Sequence, residues 1–316
     1  MNQPDGRRWL LRVEENYPAM HSSLAWALRW QREGALRLAW ALGHYWDLMG
    51  MMSEGRHWLI QALAGERGDQ ELRALALHEA AWLTWRQGDH VEAEAMLANV
   101  AELWTMAGRP VPNEVSTIRG LVAVSRGVFA AAEDHLLPVT SDPGTEPRVR
   151  AAATYYLGLA RLFSGDVDGA TRLFEDSLVH RRAGGYDPIG LAFSQGILAN
   201  IHVQHDPALA YADLRAAFRA FSEAGDRVNV IHAVEATARL HAIQGHDEVA
   251  VRIASACRAL RLRVGASGIP PWDTYWQRDV AAAERRLGDR AATIAQASRS
   301  FGLDALCAYA LETIGA

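Results

Sequence analysis

Twelve histidines are spread through this 316-residue chain, and the closest pair, His202 and His205, has the spacing of three that sets two imidazoles on one helix face. A metal centre needs a third protein ligand, and His205 falls at a break between helical patterns, so no metal is expected there. His205-Asp206 and His246-Asp247 pair an imidazole with a carboxylate, but both also fall at such breaks, where an acid caps the following helix. The paired carboxylates Glu14-Glu15 and Glu133-Asp134 have no apolar pocket to separate their pKa values, which general acid/base work requires. No Ser, Cys and His arrangement points to a nucleophile. The reading is of a protein without catalytic residues, metal or cofactor, and not an enzyme.

Recognition chemistry is better represented. Eleven tryptophans are present, nine of them between Trp9 and Trp104, and only Trp272 and Trp276 follow. Trp82, Trp85 and Arg86 sit close enough to offer ring stacking, a cation over a ring and a carboxylate-binding guanidinium from one helix. The run Arg258-Ala-Leu-Arg261-Leu-Arg263 could grip an acidic group, although such a run commonly forms the wet face of an amphipathic helix.

Composition removes several function classes. There is no lysine, so all 32 basic residues are arginine. That excludes a P-loop and a Schiff-base enzyme within these residues, since both need the amine. The formal charge of −5 gives no sequence-wide attraction to nucleic acid or anionic lipid. Cys257 and Cys307 form no CxxC pair, which points to free thiols in a reducing compartment. Arg7 and Arg8 are not followed by the apolar run of a signal peptide, and no stretch reaches the length of a membrane span. A cytoplasmic protein is expected.

The elements that must position these residues form a repeat. Break residues recur at Gly50, Gly88, Gly127, Gly165, a degenerate His205, Gly245 and Gly288, at spacings of 38, 39, 38, 40, 40 and 43. Seven positions before each break stands Gly43, Ala81, Gly120, Gly158, Leu198, Ala238 or Ala281. Five positions after it stands Gly55, Ala93, Ala132, Ala170, Ala210, Ala250 or Thr293. Nine after it come Leu59, Leu97, Leu136, Phe174 and Leu214, then Ala254 and Ala297. Small residues let two antiparallel helices approach, a large one beyond fills space beneath the next hairpin, glycine permits the turn, and the acids of Gly88-Asp89, Gly165-Asp166 and Gly288-Asp289 cap the second helix.

This pattern predicts an all-α, right-handed solenoid of about seven helical hairpins, of tetratricopeptide type with a period longer than about 34 residues. The surplus goes into longer helices and connections such as Ser141–Pro147 and Gly184–Pro188. One domain is expected: N-terminal helices over 1–34, regular repeats over 35–264 and a C-terminal capping hairpin over 265–316. Within the first part, Pro18 should kink a helix that continues through Leu24–Arg32 and ends at Gly34, and GASGIPPW at Gly265–Trp272 should separate the cap.

The opening RWLLRVEENYPAMHSSLAWAL, with GALRLAWALGHYWDLMGMMSEGRHWLIQALA behind it, resembles the start of the helical-repeat region of bacterial transcription regulators of the LuxR/SARP and predicted-ATPase type. Trp9-Leu10, Leu24–Leu28, Ser53–Arg56 and Trp58-Leu59 carry the likeness, as do Pro270-Pro271, Leu287-Gly288 and Leu303–Glu312 near the end. The resemblance implies a sensor or interaction region that restrains an ATPase and a DNA-binding module. Neither module is expected among these residues, so it implies action on a separate partner carrying them.

In a tetratricopeptide hairpin the first helix lines the concave groove, which places Arg37, Trp40, His44 and Asp47 there in the first unit and His78, Trp82, Trp85 and Arg86 in the second. Tyr155 and Phe163, Gln195 and His202, then His232, Glu235 and Arg239 follow. The expected ligand is a peptide or protein segment gripped by exposed Trp40, His44, Asp47, His78, Trp82, Trp85, Arg86, Tyr155, Gln195, His202, Glu235 and Arg239, with no direct nucleic acid and no membrane. The alternative is a metabolite held in the aromatic N-terminal part of the groove.

Overall fold

The computed structural model describes residues 6–65, 68–185, 187–226, 228–267 and 270–315, and every regular element among them is an α-helix. The order is α1 (Gly6–Trp30), α2 (Arg32–Leu48), α3 (Met52–Leu63), α4 (Gln70–Arg86), α5 (His90–Met106), α6 (Asn113–Ser125), α7 (Phe129–Ser141) and α8 (Pro147–Phe163). It continues with α9 (Val167–Ala183), α10 (Pro188–His202), α11 (Pro207–Ala224), α12 (Val230–Ile243), α13 (Asp247–Val264), α14 (Pro270–Leu287), α15 (Asp289–Ser298) and α16 (Leu303–Thr313). From α2 to α13 the helices pack as successive pairs, each followed by the next.

The break glycines make the hairpin turns. Gly50, Gly88, Gly127, Gly165, Gly245 and Gly288 all have positive φ, between 57° and 97°, a conformation that L side chains rarely adopt. Asp89, Asp166 and Asp206 then cap α5, α9 and α11 by accepting from the amides of Glu92, Gly169 and Leu209. Asp289 differs from the expected cap: Gly288 is the capping residue of α15, and Asp289 lies in its first turn.

Packing follows the small and large positions, with one change. A Cβ on Gly120 would lie 2.4 Å from Leu136 Cγ, and one on Gly158 would lie 2.6 Å from Phe174 Cε1. The large residue therefore seats on the small residue of its own hairpin, rather than beneath the next. Ala81, Ala93, Ala132, Ala170, Ala210 and Ala250 are all fully buried.

Helix α1 runs unbroken through Pro18 to Trp30, and Gly34 lies in the first turn of α2 instead of ending a helix. The C-terminal part holds three helices, with α16 packed on α12 and α13. Of the Gly265–Trp272 cluster, 268–269 lie outside the described residues, as does residue 186 in the connection after α9.

The repeat curves until its early hairpins meet its late ones. A Cβ on Gly50 would touch Val228 and Val264 at 3.3 Å, and one on Gly88 would meet Ser267 Oγ at 2.7 Å. The Ser267 amide donates to the Arg86 carbonyl at 2.8 Å. Val228 and Ala266 accordingly belong to the apolar core of the first two hairpins, and α1 touches α11 while α6 touches α14. The concave face is thereby enclosed.

Candidate functional site

At the centre of the curve is a cavity whose wall comes from helices spaced through the repeat. Its lining includes Trp82, Trp85 and Arg86 of α4, Tyr155 and Tyr156 of α8, Arg181 of α9, Phe193, Gly196 and Asn200 of α10, Phe221 of α11, Asn229 and His232 at the start of α12, and Trp272 of α14. Its volume is about 90 Å³ counted over positions open to the centre of a water molecule. One water needs only about 10–15 Å³ on that measure. A cavity of about 150 Å³ holds one benzene ring, so an aromatic occupant of this smaller space is a single ring at most.

The α4 wall is fixed by Asp47, which lies buried at the end of α2. Its two carboxylate oxygens accept from Arg86 Nε at 3.0 Å and Trp82 Nε1 at 2.9 Å, residues four apart and so on one helix face. Trp85 donates from Nε1 to Ser125 Oγ at 2.8 Å, and its ring lies 4.8 Å from that of Trp82. Each ring is held by its polar edge, which leaves the faces for contact with an occupant.

Opposite stands an aromatic cluster. Tyr155 packs 5.6 Å from Tyr156, 5.4 Å from Phe174 and 6.2 Å from Phe193, and Phe193 meets Phe221 edge-on at 5.3 Å. The Arg181 guanidinium lies 6.0 Å from the Tyr155 ring centre and is paired with Asp187, the residue capping α10. Burial pushes the phenol of Tyr156 up to about 12 and that of Tyr155 up as well, so both remain protonated.

Behind the α12 wall lies a charged pair. Glu235 is fully buried and receives both Arg261 Nε and Nη2, with Nη2 also 3.2 Å from His232 Nδ1. Burial raises the Glu235 carboxyl, but the Arg261 guanidinium outweighs it and holds the group down at about 2. Burial, then Arg261, pushes His232 down to about 4, so its imidazole is neutral at pH 7.

Five of the residues expected in the groove, Trp82, Trp85, Arg86, Tyr155 and His232, line this cavity. They were expected exposed, whereas Trp85, Arg86 and Tyr155 are buried, because the concave face closes on itself. Asp47 is buried as their anchor. Glu235 and Arg239, also expected exposed, are fully buried behind the wall; Arg239 donates to Asp279 at 2.7 Å and to the Asn200 carbonyl. His202 lies 3.1 Å from Asp213, away from the cavity, and Gln195 is half-buried on α10 outside its lining. Trp40 is exposed, and His44 is half-buried, with burial lowering its pKa.

His78 lies in a second, more open recess with Glu114, Glu146, Arg148 and Tyr156, and burial pushes its pKa down to about 4. Tyr156 belongs to both spaces, so its ring stands between them.

Arg181, Asn200, Asn229, Phe221 and Trp272 were missed in the sequence. Tyr156, beside Tyr155 in a Tyr-Tyr pair, carried a signal, as did Arg181, which stands 16 positions after its break glycine just as Arg261 does. Among the described residues no three His, Cys, Asp or Glu side chains gather as a metal site, and no helix is long and apolar enough to cross a membrane. Compared with known protein families and with curated proteins, the chain matches no family model and no individual protein.

Proposed function

We propose that this protein is a non-catalytic binding protein that encloses a small aromatic molecule at the centre of its helical repeat. The observation that supports this best is the union of closure and lining. The concave face is shut by the Ser267 to Arg86 hydrogen bond and the Gly50 and Gly88 contacts, and the space behind that seam is walled by edge-anchored tryptophans and stacked tyrosines. Concave, mostly apolar spaces with a few placed polar groups are where small ligands bind. An extended peptide needs an open lane, which this reading does not provide.

In the same reading the hairpins wind as a right-handed, tetratricopeptide-like solenoid of about seven units. The region serves in the cytoplasm as the sensor part of a LuxR/SARP-like regulator, acting on a separate ATPase or DNA-binding partner. The wall draws on helices from α4 to α14, so an occupant ties together hairpins on both sides of the seam and biases the curvature.

Gly196 provides the test. It lies within α10 on the cavity wall, and a Cβ there would meet nothing within 4 Å. Gly196→Leu therefore sets its Cβ in open space and carries the rest of its side chain into the cavity. Thermal-shift screening with single-ring aromatic compounds should stabilise the native protein, and the variant should lose the response. Silence throughout, or an unchanged response in the variant, contradicts the reading.

A second reading, recognition of a peptide or protein segment, is favoured by the mixed-charge lining of the open recess at Glu114, Glu146 and Arg148. It requires Arg148→Ala to weaken a regulator partner that Gly196→Leu still binds.

A further inference from the structure

Two polar atoms in the cavity wall have no hydrogen-bond partner among the described residues: Arg86 Nη2 and Asn229 Oδ1. Both side chains are enclosed, at 4% and 5% exposure. Arg86 commits Nε to Asp47 at 3.0 Å. Asn229 commits its backbone N and its Nδ2 to Asp226, at 2.8 Å and 2.6 Å. Because a carboxylate only accepts, the Nδ2 contact fixes the orientation of the amide, and Oδ1 is the atom left over. Buried polar groups ordinarily find partners, so one donor and one acceptor remain for whatever fills the space.

The charges around the wall are already matched. Arg86 is paired with Asp47, Arg181 with Asp187, and Arg261 behind His232 with Glu235. Asp226 is a further carboxylate, held by the Val228 and Asn229 amides. Among the described residues no unmatched cation lines the space, so an anionic occupant would be stripped of water without compensation from them. A neutral oxygen satisfies the guanidinium N–H without that penalty.

We infer, on the reading of this cavity as a binding site, that its occupant is an uncharged aromatic amide, lactam or imide, whose carbonyl oxygen accepts from Arg86 Nη2 and whose N–H donates to Asn229 Oδ1. Its ring stacks against the tryptophan and tyrosine faces, and the polar edge of the molecule faces these two atoms.

Three compounds of nearly the same shape test this by calorimetric titration into the full chain: benzamide, acetophenone and benzoate. The amide offers both groups, the ketone lacks the donor, and the carboxylate is charged and lacks it too. The amide should bind about tenfold or more tighter than the ketone, because a site built around a hydrogen bond rejects the analogue that cannot make it. The carboxylate should bind weakest. Asn229→Ala should erase the advantage of the amide while the ketone still binds, which also reports that the cavity remains formed. Equal binding of amide and ketone, or tightest binding of the carboxylate, overturns the inference but leaves the cavity as a binding site. Binding of none of the three overturns both.

Discussion

The backbone N–H of Ser267 donates to the carbonyl of Arg86 at 2.8 Å, joining the segment that precedes α14 to the last residue of α4. This bond closes the curve of hairpins beside the cavity, and the turn glycine Gly88 lies directly against Ser267. Gly88→Ala therefore meets two costs, a left-handed φ of 88° and a Cβ 2.7 Å from Ser267 Oγ. Gly127→Ala at the next turn has a similar φ of 72° but nothing within 4 Å. Denaturant unfolding should show Gly127→Ala losing about 1–2 kcal/mol from backbone strain, and Gly88→Ala losing about 1–3 kcal/mol more from overpacking. Equal losses would mean that the seam is not formed in solution.

Asp47 holds Arg86 and Trp82 together, and all three lie inside the closed face. Asp47→Leu strands a buried guanidinium and Arg86→Met strands a buried carboxylate, and each should cost about 3–5 kcal/mol. The double variant Asp47→Leu/Arg86→Met removes both charges and should recover most of that loss. Additive losses in this cycle, measured by urea unfolding, would show that the pair is not coupled.

Two glycines within helices should respond in opposite directions. Gly120→Ala drives a Cβ into Leu136 and should destabilise by about 1–3 kcal/mol. Gly196→Ala faces open space and should stabilise by about 0.5–1 kcal/mol through helix propensity. Thermal melts distinguish them directly.

Buried groups give stability opposing dependences on pH. His232 and His78 are held at about 4 against an ordinary 6.5, so the unfolded chain binds more protons between those values. Their contribution is complete above about 6.5 and is lost as pH falls towards 4. Glu235, held at about 2, behaves likewise below 4.5. Glu79 has the opposite sign: burial, then Asp47, pushes it up to about 7, so the folded chain binds the extra proton between 4.5 and 7 and stability declines as pH rises. Glu79→Gln should consequently raise the melting temperature more at pH 8 than at pH 5, and His78→Phe should do so more at pH 5 than at pH 8. Reversed or flat differences would contradict these assignments.

The repeat was legible because it is written several times. Ala81, Gly88, Ala93 and Leu97 have equivalents along the chain, and the break glycines are the residues whose φ is positive. The closure was not legible, since it sums small rotations over successive hairpins, and no residue of Arg86 or Ser267 type recurs to announce it. That is why Trp85, Arg86, Glu235 and Arg239 read as exposed groove positions and lie buried. Asn229 and Trp272 escaped for a related reason: one precedes α12 and the other follows the Gly-Pro-rich break, positions where a hairpin frame makes no assignment. Trp82, Trp85 and Tyr155 were found because an aromatic departure from the repeat on a first helix points inward whether the face is open or closed.

The central claim is that the closed face encloses a binding cavity, and its most direct measurement is calorimetric titration of acetophenone into the native chain and into Gly196→Leu. The native chain should bind the ketone with a negative heat-capacity change, as expected for burial of apolar surface. Gly196→Leu, with an unchanged or higher melting temperature, should not bind it. Equal affinity in the two proteins, or no binding to either, would contradict the claim.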